Sequence, residues 1–165
     1  MHRDITFDNI LLDENNNIKI SDFALSVKIP KYTKDDLNSE CTLVGRADFV
    51  CPEILKSEKY GIRTDIFSLG LMMLLLMSKK TANDLITLSK NNNGTIIRTI
   101  NKDELMNNNN YNIYLKKLVL RMINDNKNMR PFAANAFYEL EIIEKLVKNP
   151  DDYMAKLYLE NVNDS

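Results

Sequence analysis

The order of apolar and polar positions predicts a small β-hairpin followed by a mostly helical body. Residues 10–12 and 18–20 are short β-prone runs on either side of the polar segment 13–17, a pattern typical of a hairpin with a polar turn. From Asp22 to about Pro52 no helical or strand period is sustained. A structureless stretch of this kind inside a compact domain is usually functional.

The helical body is predicted from apolar runs and from amphipathic spacing. The clearest helix covers residues 64–78, with Thr64 or Asp65 as its cap. It is apolar on almost every face, and such a helix must be surrounded by protein. The remaining helices are predicted at 52–56, 82–89, 112–124 and 131–148, with a short one after Pro150.

Composition narrows the function classes. The 165 residues suit one domain with a real core. A formal net charge of -1 gives no electrostatic footprint for nucleic acid or an anionic membrane. Two cysteines and one histidine exclude a disulfide scaffold and a His/Cys zinc cluster. No secretory signal opens the chain, and the longest apolar run, 66–77, is too short to cross a bilayer. We therefore expect a cytoplasmic protein with no membrane span.

Three side chains suggest a site by their spacing. Asp4 and Asn9 are separated by a five-residue step, and Asp22 follows the predicted hairpin. Because the hairpin returns the chain on itself, we expect all three to converge at one of its ends. Two carboxylates and an amide suit Mg²⁺, which prefers oxygen ligands and is usually completed by phosphates and water. The alternative is that these residues only form turns, as Asp and Asn often do after strands.

The sequence around these residues resembles the protein kinase family. Residues 2–9 (HRDITFDN) resemble the kinase catalytic loop, and residues 22–24 (DFA) resemble its metal-binding DFG element. Residues 51–53 (CPE) resemble the A-P-E sequence that closes the activation segment. Residues 65–70 (DIFSLG) look like the start of the central helix of the large lobe, and Arg130-Pro131 looks like the late arginine of the family. The resemblance covers about residues 2–148.

The resemblance implies an α+β, protein-kinase-like fold: the mostly α-helical C-terminal (large) lobe, with a small β-hairpin and without the small lobe. It places the lobe at 1–148, with the catalytic loop at 2–9, the activation segment at 22–53 and the helical body at 64–148. Residues 149–165 would form a C-terminal tail. The implied activity is phosphoryl transfer from ATP to a protein hydroxyl.

The resemblance also assigns roles to single residues. Asp4 would orient the substrate hydroxyl and accept its proton, while Asn9 and Asp22 would bind Mg²⁺ and, through it, ATP. Arg3 would pair with a phosphate on the activation loop, for which Thr42 is the best acceptor. Structural roles fall to His2, Phe23, Glu53, Asp65 and Arg130, with Glu53 and Arg130 expected to pair.

Several departures from the family pattern point to an alternative function. The chain begins at the catalytic loop, so it shows no Gly-rich loop, no lysine-bearing strand and no helix C glutamate. Thr6, Ala24 and Arg46 stand where serine/threonine kinases have lysine, glycine and threonine. We expect this chain alone not to be a competent kinase. The alternative is a non-catalytic pseudokinase, a scaffold that binds protein partners.

The same pattern predicts a partner surface. Helices that precede the catalytic loop in the family would cover the central helix, so apolar surface is expected at 71–77. Such a patch indicates a partner, a missing segment or a tendency to aggregate. The expected partners are therefore a protein substrate, and either the missing small lobe or another protein on the apolar surface.

Overall fold

The structure, a computed structural model, describes residues 1–29 and 48–164. Two single-turn 3₁₀ helices, Phe7–Asn9 and Lys127–Met129, accompany the regular elements. In chain order those elements are β1 (Ile10–Leu12), β2 (Ile18–Ile20), α1 (Pro52–Leu55), α2 (Arg63–Ser78), α3 (Ala82–Leu85), β3 (Ile86–Lys90), β4 (Ile96–Ile100), α4 (Asp103–Asn107), α5 (Ile113–Met122), α6 (Ala133–Lys148) and α7 (Tyr153–Asp164).

The predicted first hairpin is confirmed. Strands β1 and β2 pair antiparallel, with Ile10 opposite Ile20. The polar turn forms around Asp13, whose Oδ1 accepts hydrogen bonds from the backbone N–H groups of Asn15 (3.0 Å) and Asn17 (2.8 Å). This is the local side-chain bonding that makes Asp a turn residue. The turn therefore fixes the register that brings residue 21 back beside residue 9.

Helix α2 runs through the middle of the core, as its all-round apolar sequence predicts. Leu71 and Leu74 are fully buried, and α4 and α5 both pack against the helix. The predicted cap was wrong. The helix begins at Arg63, its N-cap residue is Ile62, and no side chain caps it. Asp65 lies inside the first turn instead, because its carboxylate binds backbone N–H groups at the start of the chain.

The expected apolar surface at 71–77 was largely wrong. Of those residues only Leu76 is exposed, and the rest are buried or half-buried, because α4 and α5 already cover most of the helix. Leu69, Met73 and Leu76 recur at helical spacing on the remaining side. Leu69 and Leu76 are 40% and 62% exposed, and Met73 is half-buried. We call these three residues the α2 stripe.

The prediction of one helix at 82–89 was also wrong. Helix α3 ends at Leu85, and a second antiparallel hairpin follows, with β3 paired to β4 from Ile86–Ile100 to Lys90–Ile96. The signal was present in the sequence: an Asn-Gly turn at 93–94 between β-branched runs favours a hairpin. Gly94 supplies the left-handed backbone there, at φ 77°.

The last three helices form the far side of the body. Helices α5 and α6 lie within the predicted ranges, and the helix after Pro150 is α7, which is longer than expected. Asn112 caps α5 by accepting the Tyr114 N–H at 2.8 Å. A second apolar cluster joins α5, α6 and α7, with Leu118 and Leu159 fully buried. Within the described residues, no helix has the length and apolar character needed to span a membrane. The α+β class with a small hairpin and a helical body is confirmed.

Candidate active site

The first turn of α2 holds the start of the chain. Asp65 accepts the backbone N–H of His2 through Oδ2 (2.7 Å) and that of Arg3 through Oδ1 (2.8 Å). Arg3 has a left-handed backbone, φ 72°, which costs energy for a residue with a side chain. A carboxylate in the first turn is also favoured by the helix dipole. Asp65 therefore fixes the backbone from which Asp4 extends.

The ring of His2 ties this loop to the end of the first hairpin. His2 is buried, and its Nδ1 accepts the Asp4 N–H at 3.3 Å. With Nδ1 as acceptor, Nε2 carries the proton and donates to the Ser21 carbonyl at 2.9 Å. The ring also meets Phe23 edge-on, with centroids 4.9 Å apart. His2 thus brings the chain before Asp22 against the loop that carries Asp4.

Asp4 and Asn9 are joined directly. The Asn9 side-chain Nδ2 donates to both the backbone oxygen and Oδ2 of Asp4, each at 2.9 Å. Both donor hydrogens of the Asn9 amide are therefore used, and its Oδ1 is left as an acceptor. In the described part of the chain, Oδ1 of Asp4 is buried and has no hydrogen-bond partner. A buried polar atom of this kind calls for an explanation.

Asp22 follows the residue that bonds to Asn9. Ser21 donates to the Asn9 carbonyl through its backbone N–H (2.9 Å) and its hydroxyl (3.2 Å). Asp22 itself is exposed and left-handed, φ 57°, and its Oδ1 accepts the Ala24 N–H at 3.2 Å. The hairpin therefore brings Ser21, the residue before Asp22, beside Asn9.

A buried ion pair lies just after residue 52, at the end of the stretch that resembles an activation segment. Glu53, in α1, accepts two hydrogen bonds of 2.7 Å from the Arg130 guanidinium, one to each carboxylate oxygen. Arg130 Nε also donates to the Asn124 carbonyl at 2.7 Å, and its guanidinium carbon lies 4.8 Å from the centre of the Phe67 ring. This pair links α1 to the connection before α6.

Comparison with known proteins assigns the family. The family model described as protein kinase domain matches residues 1–139. The chain belongs to the protein kinase family. It is 34% identical over 135 residues to serine/threonine-protein kinase Nek6 of Oryza sativa subsp. japonica, which covers 81% of this chain and 23% of that protein.

Two further relatives match about half of the chain. Serine/threonine-protein kinase shk2 of Schizosaccharomyces pombe is 39% identical over 80 residues, 48% of this chain and 13% of its own length. The hormonally up-regulated neu tumor-associated kinase homolog of Xenopus tropicalis is 41% identical over 80 residues, 47% of this chain and 11% of its own. This kinase chain thus spans less than a quarter of each of these three relatives.

The Arg3 side chain donates hydrogen bonds to one backbone carbonyl and one side-chain hydroxyl. Its Nε donates to the Leu25 carbonyl at 2.5 Å, and Nη1 donates to the Tyr60 hydroxyl at 3.1 Å. Tyr60 is buried, and no local sequence pattern distinguishes it, since its partner is 57 positions away. The phosphate acceptor predicted for Arg3, Thr42, lies outside the described residues, as does Arg46.

Two residues that differ from the family pattern, Thr6 and Ala24, lie within the described part of the chain. Thr6 is buried, and its carbonyl accepts the Asn9 N–H at 3.1 Å. Ala24 lies outside the left-handed region of φ. Its backbone therefore does not need glycine, and alanine adopts it without strain. Neither substitution disturbs the bonds that hold the Asp4 loop.

The electrostatics of the ion pair follow from burial and from the opposite charge. Burial acts to raise the pKa of Glu53, but the hydrogen bonds and charge of Arg130 outweigh it, and the net pKa lies below the ordinary value of 4.5. Two positions before Glu53, burial together with that carboxylate raises the pKa of the Cys51 thiol to about 12. Cys51 is therefore a neutral thiol at physiological pH.

Proposed function

We propose that this chain is the large lobe of a catalytic protein kinase, which transfers the terminal phosphoryl group of ATP to a protein hydroxyl when joined to its small lobe. The proposed division keeps the lobe at residues 1–148 and the tail at 149–165. Two of the relatives are serine/threonine-protein kinases, which favours a serine or threonine hydroxyl as the acceptor. We expect the protein to act in the cytoplasm.

One observation carries the proposal: the Asn9 amide clamps Asp4 through two atoms and leaves Oδ1 of Asp4 buried without a partner. A carboxylate oxygen held in this way is suited to accept the proton of a substrate hydroxyl. Asp4 also borders a cavity of about 10 Å³ together with Phe49 and Val50, the residues just before the CPE sequence. The proposed acceptor therefore lies beside the end of the activation segment.

The residues at this point fit the proposed metal. The exposed carboxylate of Asp22 and the Oδ1 of Asn9 offer the oxygen ligands that Mg²⁺ prefers. No three His, Cys, Asp or Glu side chains gather into a metal site within residues 1–29 and 48–164. Asn9 and Asp22 would therefore bind Mg²⁺ together with phosphate and water oxygens. Bound Mg-ATP supplies the phosphoryl group and neutralises charge as it is transferred.

The other site residues have proposed roles that follow the same plan. Arg3 would receive a phosphate carried by Thr42, exchanging its present bonds to Leu25 and Tyr60 for a charge-assisted one. His2, Phe23 and Asp65 would hold the catalytic loop, and Glu53 with Arg130 would hold the end of the activation segment.

The test uses the protein as the cell makes it. Asp22→Asn should abolish Mg-ATP binding, measured by calorimetry, because it removes the charged metal ligand. Asp4→Asn should leave binding intact and remove phosphate transfer. Glu14→Gln, a charge change at an exposed position of the first hairpin turn, is the control and should alter neither. Transfer that survives Asp4→Asn would contradict the proposal.

The second candidate is a non-catalytic pseudokinase that binds a protein partner. Thr6 favours it, because a buried threonine replaces the lysine that serine/threonine kinases use beside the catalytic Asp. The α2 stripe is the surface on which the small-lobe side of the protein or another partner would dock. If Mg-ATP binding is absent from the protein as the cell makes it, and neither Asp4→Asn nor Asp22→Asn changes its behaviour, this second function is correct.

A further inference from the structure

Arg98 extends from the second hairpin into the base of the activation segment. It lies in β4, where it is opposite Leu88. Its Nη1 donates to the Asp48 carbonyl at 3.2 Å, and its guanidinium carbon lies 4.6 Å from the centre of the Phe67 ring. In the described part of the chain its Nη2 is buried and has no partner. Burial lowers the pKa of Arg98 to about 10, which still leaves it charged at neutral pH.

Among the residues that the structure describes, Arg98 forms no ion pair of its own. Arg130 also lies against the Phe67 ring, at 4.8 Å, and both oxygens of Glu53 are used by Arg130. Two guanidinium groups therefore share this region with the paired carboxylate of Glu53 and with Asp125. The charge of Asp125 acts to raise the pKa of Arg98, and Asp125 borders the same cavity as Arg98 without a hydrogen bond to that arginine. Burying a cation without a dedicated partner is unfavourable. Such a residue is expected to lower the free energy of unfolding. Its contacts therefore suggest a role other than stability.

The contact to Asp48 connects Arg98 with the residues just before α1. Two successive carbonyls at the end of the activation segment are held by the helical body: Arg98 binds that of Asp48, and the Ser68 hydroxyl binds that of Phe49 at 2.9 Å. Phe49 in turn borders the cavity beside Asp4. Arg98 therefore links the second hairpin to the segment that lies against the proposed catalytic residue.

We propose that Arg98 is a positioning residue, which fixes the end of the activation segment beside Asp4 so that a protein substrate is received in register. This inference rests on the proposed kinase function for its effect on substrate, but not for its effect on the segment. It makes the hairpin β3–β4, which the family pattern does not assign, a part of the substrate-binding machinery.

Hydrogen exchange and kinetics test the inference on the protein as the cell makes it. Arg98→Met removes the charge and the hydrogen bond while keeping an apolar group near Phe67. The amides of Phe49 and Val50 should then exchange about tenfold faster, as expected for loss of one hydrogen bond from a charged donor. The melting temperature should stay equal or rise, because an unpaired buried cation has been removed. The KM for the protein substrate should rise about tenfold with the KM for ATP unchanged.

A matched control and a second variant make the result decisive. Lys90→Met removes a cation from an exposed position of the same hairpin and should change none of these values. Should Arg98→Met fail to fold, Arg98→Lys replaces it. Lysine keeps the charge but lacks the planar fork that contacts the carbonyl and the ring together, so the same faster exchange is expected.

Three results would overturn the inference. One is unchanged exchange at Phe49 and Val50. Another is faster exchange throughout α1 and α2 with a lower melting temperature, which would show a merely structural role. The third is a protein-substrate KM that does not move although the wild type transfers phosphate. If the wild type transfers none, the proposed function fails, and the exchange measurement alone decides whether Arg98 holds the segment.

Discussion

The two carboxylate oxygens of Glu53 each accept a 2.7 Å hydrogen bond from Arg130, 77 positions further along the chain. Both residues are almost fully buried, at 3% and 1% exposure. A buried pair of this geometry contributes little compared with an apolar pair of the same shape, but removing one partner leaves a buried charge uncompensated. The pair therefore makes the position of α1 depend on the connection before α6.

Glu53→Gln should lower the free energy of unfolding by about 3–5 kcal/mol, because Arg130 would remain buried without its counter-charge. Urea unfolding followed by circular dichroism measures this difference. The matched control is Glu144→Gln, which breaks an ion pair with Lys148 on the surface of α6. Exposed pairs contribute little, so no measurable change is expected there. Equal effects of the two variants would contradict the role given to the buried pair.

The same pair should make stability depend on pH in the acid range. The pKa of Glu53 is lowered in the folded state from an ordinary value of 4.5, so the unfolded state binds its proton first as the pH falls. The stability from this group is complete above about pH 5 and is lost as the pH falls through the folded pKa. Wild type should therefore lose more stability than Glu53→Gln between about pH 6 and pH 3. Parallel curves for the two proteins would show that Glu53 is not the group responsible.

Local signals in the sequence were sufficient for the first hairpin and for the return of Ser21 to Asn9. The hairpin turn depends on Asp13 and its near neighbours, and the register with Ile10 opposite Ile20 places residue 21 beside residue 9. Helix α2 was predictable because a helix that is apolar on all faces must be buried. These features depend on contacts between residues close in sequence or on burial alone.

The sequence-based predictions were wrong or incomplete where contacts between distant residues determine the structure. Asp65 looks like a helix cap, but its carboxylate binds N–H groups more than 60 positions earlier in the chain. The second hairpin was missed because a weak apolar spacing at 82–89 was preferred over the Asn-Gly turn that follows. Arg98 has no local signal at all, since its partner Asp48 is 50 positions away. Helical spacing also did not reveal how much of α2 would be covered by α4 and α5.

Gly70→Ala should destabilise the protein although alanine favours helices. A Cβ at Gly70 would lie 2.7 Å from the Met122 Cβ and 2.8 Å from Ile123 Cγ2, closer than such atoms approach. The overpacking should cost about 1–3 kcal/mol, more than the roughly 1 kcal/mol gained in helix propensity. Thermal unfolding measures the sign. The control is Leu76→Ala, at an exposed position of the same helix, which should change stability little. A rise in melting temperature for Gly70→Ala would show that α2 and α5 are not in close contact.

Restoring glycine at position 24 should not help the protein. Ala24 adopts a backbone that does not require glycine, so Ala24→Gly mainly increases the freedom of the unfolded chain. Its expected effect is a loss of about 0.4–1 kcal/mol in the free energy of unfolding. Phosphate transfer by the protein as the cell makes it should not increase. A several-fold gain in transfer would mean that the working conformation needs a left-handed residue at this position.

The α2 stripe should bind hydrophobic dye and promote association of the isolated 165-residue chain. Leu69 and Leu76 are exposed apolar side chains on one side of a helix, and contiguous apolar surface of this kind associates in water. Replacing both with glutamine should reduce dye fluorescence and shift sedimentation toward the monomer. The melting temperature should change little, because neither side chain is buried. Leu71→Gln, on the covered side of the same helix, should instead unfold the protein. Unchanged dye binding in the double variant would place the responsible surface outside α2.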